Sequence, residues 1–235
     1  MKKTNKRFIA ALVVGLSLVA AACGSSDDAA EETPAAAGGE LEGMKGTMPL
    51  VALSDEFKTG MNEFWVAAGN EALTDFSYAA EAFDSVMLVA LAAEAAKTDG
   101  SALAGEIMNV SRDGETCTEF AACVELIKAG TDINFEGVSG PQDMNGNGEP
   151  IKASYGVLTF DATNRFDYAD AEYILADLPE SDYVDLQAPT VERAGDGVLK
   201  FGTLLPETGN LAFLGPPEFA GVEYAISLIN AAGGV

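Results

Sequence analysis

The chain has 235 residues, a formal net charge of −24 and no histidine. The absence of histidine excludes Ser-His-Asp and Cys-His catalysis and removes the commonest ligand of a catalytic zinc ion. The negative charge opposes binding to nucleic acid and to anionic lipid headgroups. We therefore expect a protein that is not an enzyme, uses no cofactor or metal and has no nucleic-acid partner. Carboxylate-based hydrolysis needs no histidine, but no paired-acid motif stands out.

The N-terminus has the pattern of a secretory signal peptide over residues 1–22. Lysines and an arginine precede an apolar run, 8–22, that is short for a membrane span of about 20 residues. The residues around Cys23, Leu-Val-Ala-Ala-Ala-Cys-Gly-Ser, resemble the bacterial lipoprotein signal, in which the cysteine becomes the first residue and carries the lipid. The resemblance implies lipidation at Cys23 and anchoring to the outer face of the cell membrane. A plain secretory signal and an uncleaved anchor are the alternatives.

Residues 23–46 are rich in alanine, glycine, serine, aspartate and glutamate. So few large apolar side chains cannot form a core, and the segment is predicted to be a disordered acidic tether.

Helical periodicity marks several segments of the body. Ser54 is a candidate N-cap for an amphipathic helix within 47–70. The clearest helix is 79–97, and a shorter one is predicted over 101–110. A further helix over 117–129 ends at Gly130. The apolar face of the clearest helix consists of Phe83, Val86, Met87, Ala90 and Leu91.

The cysteines are assigned by elimination. If Cys23 carries lipid, Cys117 and Cys123 remain as a pair, and an exported protein favours a disulfide between them. The closed loop is short, so the expected stabilisation is about 2 kcal/mol. The spacing is not Cys-x-x-Cys, which argues against redox catalysis.

Residues 143–148 imitate the opening of a calcium-binding loop. The full pattern requires glutamate at its twelfth position, which is Ser154 here. We therefore interpret the segment as a Gly/Asn turn before a strand over 154–161. The following acidic segment, 167–197, contains Pro179 and Pro189, shows weak periodicity and is predicted to be a linker.

The last segment, 198–235, has the order strand, loop, helix. Residues 198–205 are predicted to be a buried strand, and the Pro/Gly/Asn loop 206–215 follows it. Pro216 and Pro217 suit the first turn of a helix, which Gly233 and Gly234 end.

Two sets of motifs in this chain point to one protein family. The first set is Leu-Pro-Glu-Thr-Gly-Asn-Leu-Ala-Phe-Leu-Gly at 205–215 and Ile-Asn-Ala-Ala-Gly-Gly at 229–234, which resembles the beginning of the periplasmic leucine/isoleucine/valine-binding proteins. Four segments within 47–166 resemble the C-terminal part of that family, namely 78–96, the Thr-Asp-Gly turn 98–100, 130–150 and 153–161. The resemblance implies an α/β fold of the type I periplasmic-binding-protein class, with a doubly wound sheet. Because the family's end precedes its beginning, it also implies a circular permutation, with a missing middle section beyond Val235.

The resemblance points to Tyr78 and Leu214 as ligand contacts, since both positions match aromatic wall residues of the family's cleft. At Leu214 the aromatic ring is lost, but an apolar wall remains. The alternatives are that Tyr78 only begins a helix and that Leu214 belongs to the core. The donors and acceptors for a ligand's ammonium and carboxylate groups come mainly from the section that has no counterpart here.

The function implied is that of a lipid-anchored solute-binding component of an ABC importer. It would capture a branched-chain or related amino acid, or an amide, and present it to the permease subunits. The alternative is a truncated or remnant surface lipoprotein that serves at most as an interaction module. Because strand 198–205 would lack parallel neighbours, we expect the 235-residue chain to bind amino acids weakly or not at all.

Overall fold

The helices of the body begin and end close to where the sequence signals lie. The computed structural model describes residues 39–178 and 193–235, so the signal peptide, Cys23 and most of the tether lie outside the described residues. Helix α1 spans Asp55–Ala67, and the Ser54 side chain caps it by accepting the Phe57 N–H at 3.1 Å. The local rules of helix capping therefore fix this boundary.

The remaining helices follow the predicted order. They are α2 (Ala79–Ala96), α3 (Leu103–Asn109), α4 (Phe120–Lys128) and α5 (Gly215–Ala231). Prolines occupy the first turn of α5 as predicted, and Gly233 and Gly234 follow its end with φ angles of 117° and 82°. No helix of the described residues is long and apolar enough to cross a membrane.

Helices α2 and α5 pack against each other and form the centre of the core. Gly221 allows this close approach, because a Cβ atom at that position would collide with the carbonyl oxygen of Ala79. Phe57 of α1 adds an aromatic contact with Phe83, edge to face at 5.1 Å between ring centroids, and both rings lie near Tyr224. The predicted apolar face of α2 is buried throughout.

The strands form two small sheets. One is antiparallel in the order β1-β5-β6, formed by Lys45–Pro49, Lys152–Thr159 and Glu172–Asp177. The other has the order β2-β3-β4, formed by Glu115–Cys117, Ile133–Gly137 and Gly140–Pro141. Strands β2 and β3 are parallel, and β3 and β4 are antiparallel. The predicted strand 154–161 is confirmed as β5, displaced by two residues toward the N-terminus.

A disulfide joins Cys117 and Cys123, whose Cα atoms are 5.5 Å apart. Cys117 lies at the end of β2 rather than in the predicted helix, and Cys123 is buried in α4. The bond therefore ties the sheet edge to the helix that directly follows it.

Two predicted boundaries are wrong. Residues 39–43 form a turn and β1 begins at Lys45, so the tether cannot extend to residue 46. The predicted linker 167–197 contains a 3₁₀ turn, Tyr168–Asp170, and strand β6. The tyrosine, isoleucine and leucine at the centre of β6 favour a strand, and β5 supplies the hydrogen-bonding partner. Residues 179–192 of that segment lie outside the described residues.

Residues 198–205 do not form the predicted strand. Their alternation is real, since Leu199, Phe201 and Leu205 pack against the core while Val198 and Leu204 are exposed. No strand of the described residues pairs with the segment. A strand needs hydrogen bonds to a neighbouring strand, so the apolar alternation alone does not make this segment a strand.

Candidate functional site

Two adjoining clefts lie between the N-terminal half of α2 and the antiparallel sheet. The first, the α2–β5 cleft, has a volume of about 540 Å³ and extends along α2 to β5 and the β4 region. The second, the aromatic cleft, has a volume of about 450 Å³ and extends from α2 to the 3₁₀ turn and β6. The residues shared by both linings are Pro49, Val51, Tyr78 and Glu81. The two clefts are therefore continuous around these side chains.

Tyr78 lies at the junction of the clefts in a left-handed backbone conformation, with φ of 62° and ψ of 4°. It is the N-cap of α2, yet its side chain makes no capping hydrogen bond. A left-handed conformation costs a bulky side chain about 1–3 kcal/mol and clusters at functional sites. The structure therefore holds the Tyr78 ring toward the clefts at a local cost.

Glu81 is one turn further along α2 and lines both clefts. Desolvation raises the pKa of its carboxyl group, against a smaller opposing effect of a backbone hydrogen bond. It makes no ion pair with any described lysine or arginine. A half-buried carboxylate in the lining, with no cation among the described residues, can serve as the acceptor for a positively charged ligand group.

The lysines that line the clefts are already paired. Lys58, in the aromatic cleft, lies 2.8 Å from Asp55. Lys152, in the α2–β5 cleft, lies 2.7 Å from Asp143, and this hydrogen bond is the main cause of its raised pKa. Each ammonium group thus has a carboxylate partner from the chain itself.

Asp84 holds two residues that line the α2–β5 cleft, Ser139 and Gln142. Its carboxylate is 1% exposed and accepts the backbone N–H groups of Val138 at 3.0 Å and Ser139 at 2.7 Å, together with the Ser139 hydroxyl. Gln142 donates its side-chain amide to the same group at 3.3 Å. Desolvation raises the pKa of Asp84 to about 6, although the hydrogen bonds from Ser139 and Val138 oppose the shift. Ser139 and Gln142 both line the cleft, so Asp84 positions them.

The sequence analysis missed Asp84 and Glu81. A usable signal existed for Asp84, because it lies at helical spacing with Leu88 and Leu91 on the buried side of an apolar helix. A charged residue on such a face requires hydrogen-bond partners from another element. No comparable signal singles out Glu81, since an acidic residue in the first turn of a helix is ordinary.

The two predicted ligand contacts are not brought together. Tyr78 lines both clefts, whereas Leu214 ends the 3₁₀ turn Ala212–Leu214 before α5 and is not among the residues that line either cleft. Leu214 is half-buried and directly precedes Gly215, the first residue of α5. Leu214 is also absent from the buried core cluster and from the partly buried residues that pack against it, so its role as a ligand contact stays a prediction.

The calcium-like segment 143–148 forms a turn. The buried Asn145 side chain accepts the backbone N–H groups of Asn147 at 2.9 Å and Glu149 at 3.0 Å. Asp143 is engaged by Lys152. Within the part of the chain that the structure describes, no group of three or more acidic or cysteine side chains is placed to hold a metal ion.

Comparison with known proteins gives one match. Residues 27–163, more than half of the chain, match the family described as the receptor family ligand binding region. No curated protein and no solved structure matches the chain. The matched residues include Tyr78, Glu81 and Asp84, whereas β6 and the segment 198–235 lie outside the match.

The match agrees with the architecture. A mixed α/β unit with two small sheets and flanking helices is consistent with the predicted fold of the type I periplasmic-binding-protein class. The leucine/isoleucine/valine subtype, the permutation and the missing section stay predictions. The chain contains a ligand-binding region related to solute-binding proteins, which implies a small-molecule ligand, and it belongs to the receptor family that shares this region.

Proposed function

We propose that the chain is the lipid-anchored, extracytoplasmic solute-binding component of an ABC importer, with a branched-chain or related amino acid, or an amide, as its solute. The observation that carries the proposal is the position of Tyr78, which lines both clefts of a receptor ligand-binding region in a strained conformation. The protein would bind and release the solute without chemical change and would present it to permease subunits.

The dimensions and lining of the α2–β5 cleft suit a small solute. Its volume of about 540 Å³ lies within the range of ordinary ligand pockets, about 300–1,000 Å³. Val51, Leu88 and Tyr155 supply apolar walls for an aliphatic side chain. Ser139 and Gln142, held by Asp84, supply polar groups at a fixed position. Apolar walls with few oriented polar groups are the usual composition of such sites.

Calorimetric titration of the 235-residue chain with leucine, isoleucine, valine and their amides tests the proposal. Because both clefts are lined by residues of this chain, we expect measurable binding, in contrast to the weak or absent binding that the sequence predicts. Tyr78→Ala should weaken binding at least about ten-fold, since it removes an aromatic wall. Phe213→Ala, at a 63% exposed position outside both clefts, is the control and should bind as the wild type does.

Failure of every amino acid and amide to bind would favour the alternative of a surface lipoprotein that acts as an interaction module. Binding that Tyr78→Ala leaves unchanged would show that the solute lies elsewhere in the protein.

The anchoring part of the proposal rests on Cys23 and has its own test. Mass spectrometry of protein extracted from membranes should find a mature N-terminus at Cys23 with attached lipid. Cys23→Ser should release the protein from the membrane fraction. An unmodified thiol at Cys23, or cleavage at another site, would contradict this assignment.

A further inference from the structure

We infer that the aromatic cleft is a binding site for a positively charged ammonium group, that Glu81 is its counter-ion, and that the solute needs no carboxylate. This inference rests on the proposed solute-binding function and names the chemical class of the solute: amines and other organic ammonium compounds with an apolar substituent.

The lining of the aromatic cleft is the first part of the argument. Four aromatic side chains contribute to a volume of about 450 Å³, and they come from three parts of the chain. Aromatic faces attract ammonium groups within about 6 Å of a ring centroid, and the attraction grows when water is excluded. The aromatic residues of the lining are Phe76, Tyr78, Tyr168 and Tyr173.

The second part of the argument is the negative charge of Glu81 in the lining of the aromatic cleft. The Glu81 carboxylate loses hydration without gaining a cation from the described residues, and desolvation raises its pKa. Glu218 adds negative charge nearby: its pKa is raised first by desolvation and then by the charge of Glu81. A bound ammonium group would compensate Glu81 and relieve its repulsion with Glu218.

The third part of the argument concerns the lysines that a ligand carboxylate could reach. Lys58 and Lys152 are the described lysines in the two linings, and each is within 2.8 Å of a carboxylate of the chain. Asp55 or Asp143 already compensates the charge of each lysine, so a ligand carboxylate would compete with that residue for the ammonium group. The clefts therefore offer a free partner to a positive group and none of equal strength to a negative group.

The fourth part of the argument is the position of Tyr168 and Tyr173 relative to the matched region. Tyr168 and Tyr173 belong to the 3₁₀ turn and to β6, and both lie outside the residues that match the receptor family. The proposed ammonium site thus combines Tyr78 and Glu81 of the matched region with two aromatic rings from outside it. The match over residues 27–163 therefore covers only part of the proposed ammonium site.

Two probes derived from leucine separate the charges. 3-Methylbutylamine keeps the branched apolar group and the ammonium group but lacks the carboxylate, and 4-methylpentanoate keeps the apolar group and the carboxylate but lacks the ammonium group. Calorimetric titration of the full chain at pH 7.5 should show binding of 3-methylbutylamine at least ten-fold tighter than binding of 4-methylpentanoate. Leucine is titrated in parallel to test the proposed function by itself.

Glu81→Gln keeps the shape of the side chain and removes the charge, and should weaken 3-methylbutylamine binding about ten- to hundred-fold. Glu94→Gln is the matched control, since it makes the same change on α2 outside both linings. Tyr173→Leu should also weaken amine binding. Thermal unfolding of each variant verifies that it is folded before titration.

The outcomes distinguish the two proposals. If leucine binds and 3-methylbutylamine does not, the inference is overturned and the solute-binding function stands. Equal binding of the amine and the acid, or unchanged amine binding in folded Glu81→Gln, also overturns the inference. If none of the three compounds binds, the inference is overturned, and the titrations with isoleucine, valine and the amides decide the proposed function.

Discussion

Asp84 and Ser139 are joined by two hydrogen bonds, since the buried carboxylate accepts both the backbone N–H and the hydroxyl of Ser139. Asp84 belongs to α2, and Ser139 lies in the turn between β3 and β4. The pair therefore connects the central helix to the small mixed sheet. It also sets the wall of the α2–β5 cleft, in which Ser139 is exposed to a solute.

The buried Asp84 carboxyl should make stability depend on pH. Its pKa is raised by desolvation from 3.8 to about 6, so the folded protein binds this proton more tightly than the unfolded chain. The resulting stabilisation is fully present below about pH 4 and is lost as pH rises through about 6. The shift corresponds to about 3 kcal/mol. Urea unfolding of wild type and Asp84→Asn at pH 4 and pH 7 should show that their difference in unfolding free energy changes by about this amount. An unchanged difference would contradict the assignment.

The disulfide should contribute modestly to stability. Cys117 and Cys123 close a loop with a sequence separation of 6, for which the chain-entropy model gives about 2 kcal/mol. Replacing both cysteines by alanine should lower the free energy of unfolding by about that amount without loss of the fold. Peptide mapping without reductant should recover the two cysteines in one linked peptide pair. Recovery of both as alkylated thiols from exported protein would refute the bond.

Two glycine-to-alanine substitutions in helices should have opposite signs. Gly221→Ala in α5 places a methyl group against backbone atoms of Ala79 and Phe83, so we expect a loss of about 1–3 kcal/mol. Gly105→Ala in α3 meets no atom within 4 Å and should stabilise the helix by about 0.5–1 kcal/mol. Chemical unfolding of both variants measures the contrast. Equal effects would show that α2 and α5 do not pack as closely as described.

Lys97 offers a stabilising substitution. It follows the end of α2 in a left-handed conformation with φ of 55°, and its side chain is exposed. Glycine adopts this conformation without the Cβ penalty, so Lys97→Gly should raise the unfolding free energy by about 0.5–1 kcal/mol. Ala96→Gly, one residue earlier and inside the helix, should lower it by about 1 kcal/mol. Thermal unfolding of the pair checks the position of the helix end, and the two substitutions would behave alike if the helix continued past Lys97.

The sequence predicts the helices of this protein because their signals are local. Ser54 marks the start of α1, the apolar period marks the buried face of α2, and glycines follow the ends of α4 and α5. The pairing of Cys117 with Cys123 follows from their short separation and the export signal. Each of these inferences depends on residues within a few positions of one another, which is the range over which capping and periodicity act.

The tertiary structure alone decides the strands and the site, because both depend on residues distant in sequence. Residues 198–205 have the periodicity of a strand, but no strand of the described residues pairs with them. Strand β6 forms within a predicted linker because β5 pairs with it through backbone hydrogen bonds. Glu81 and Tyr173 are ordinary side chains in sequence, and only the packing of α2 beside the antiparallel sheet brings them to one cleft. Hydrogen-bond ladders and desolvation both require a neighbour that the chain supplies from far away, and local patterns do not encode that neighbour.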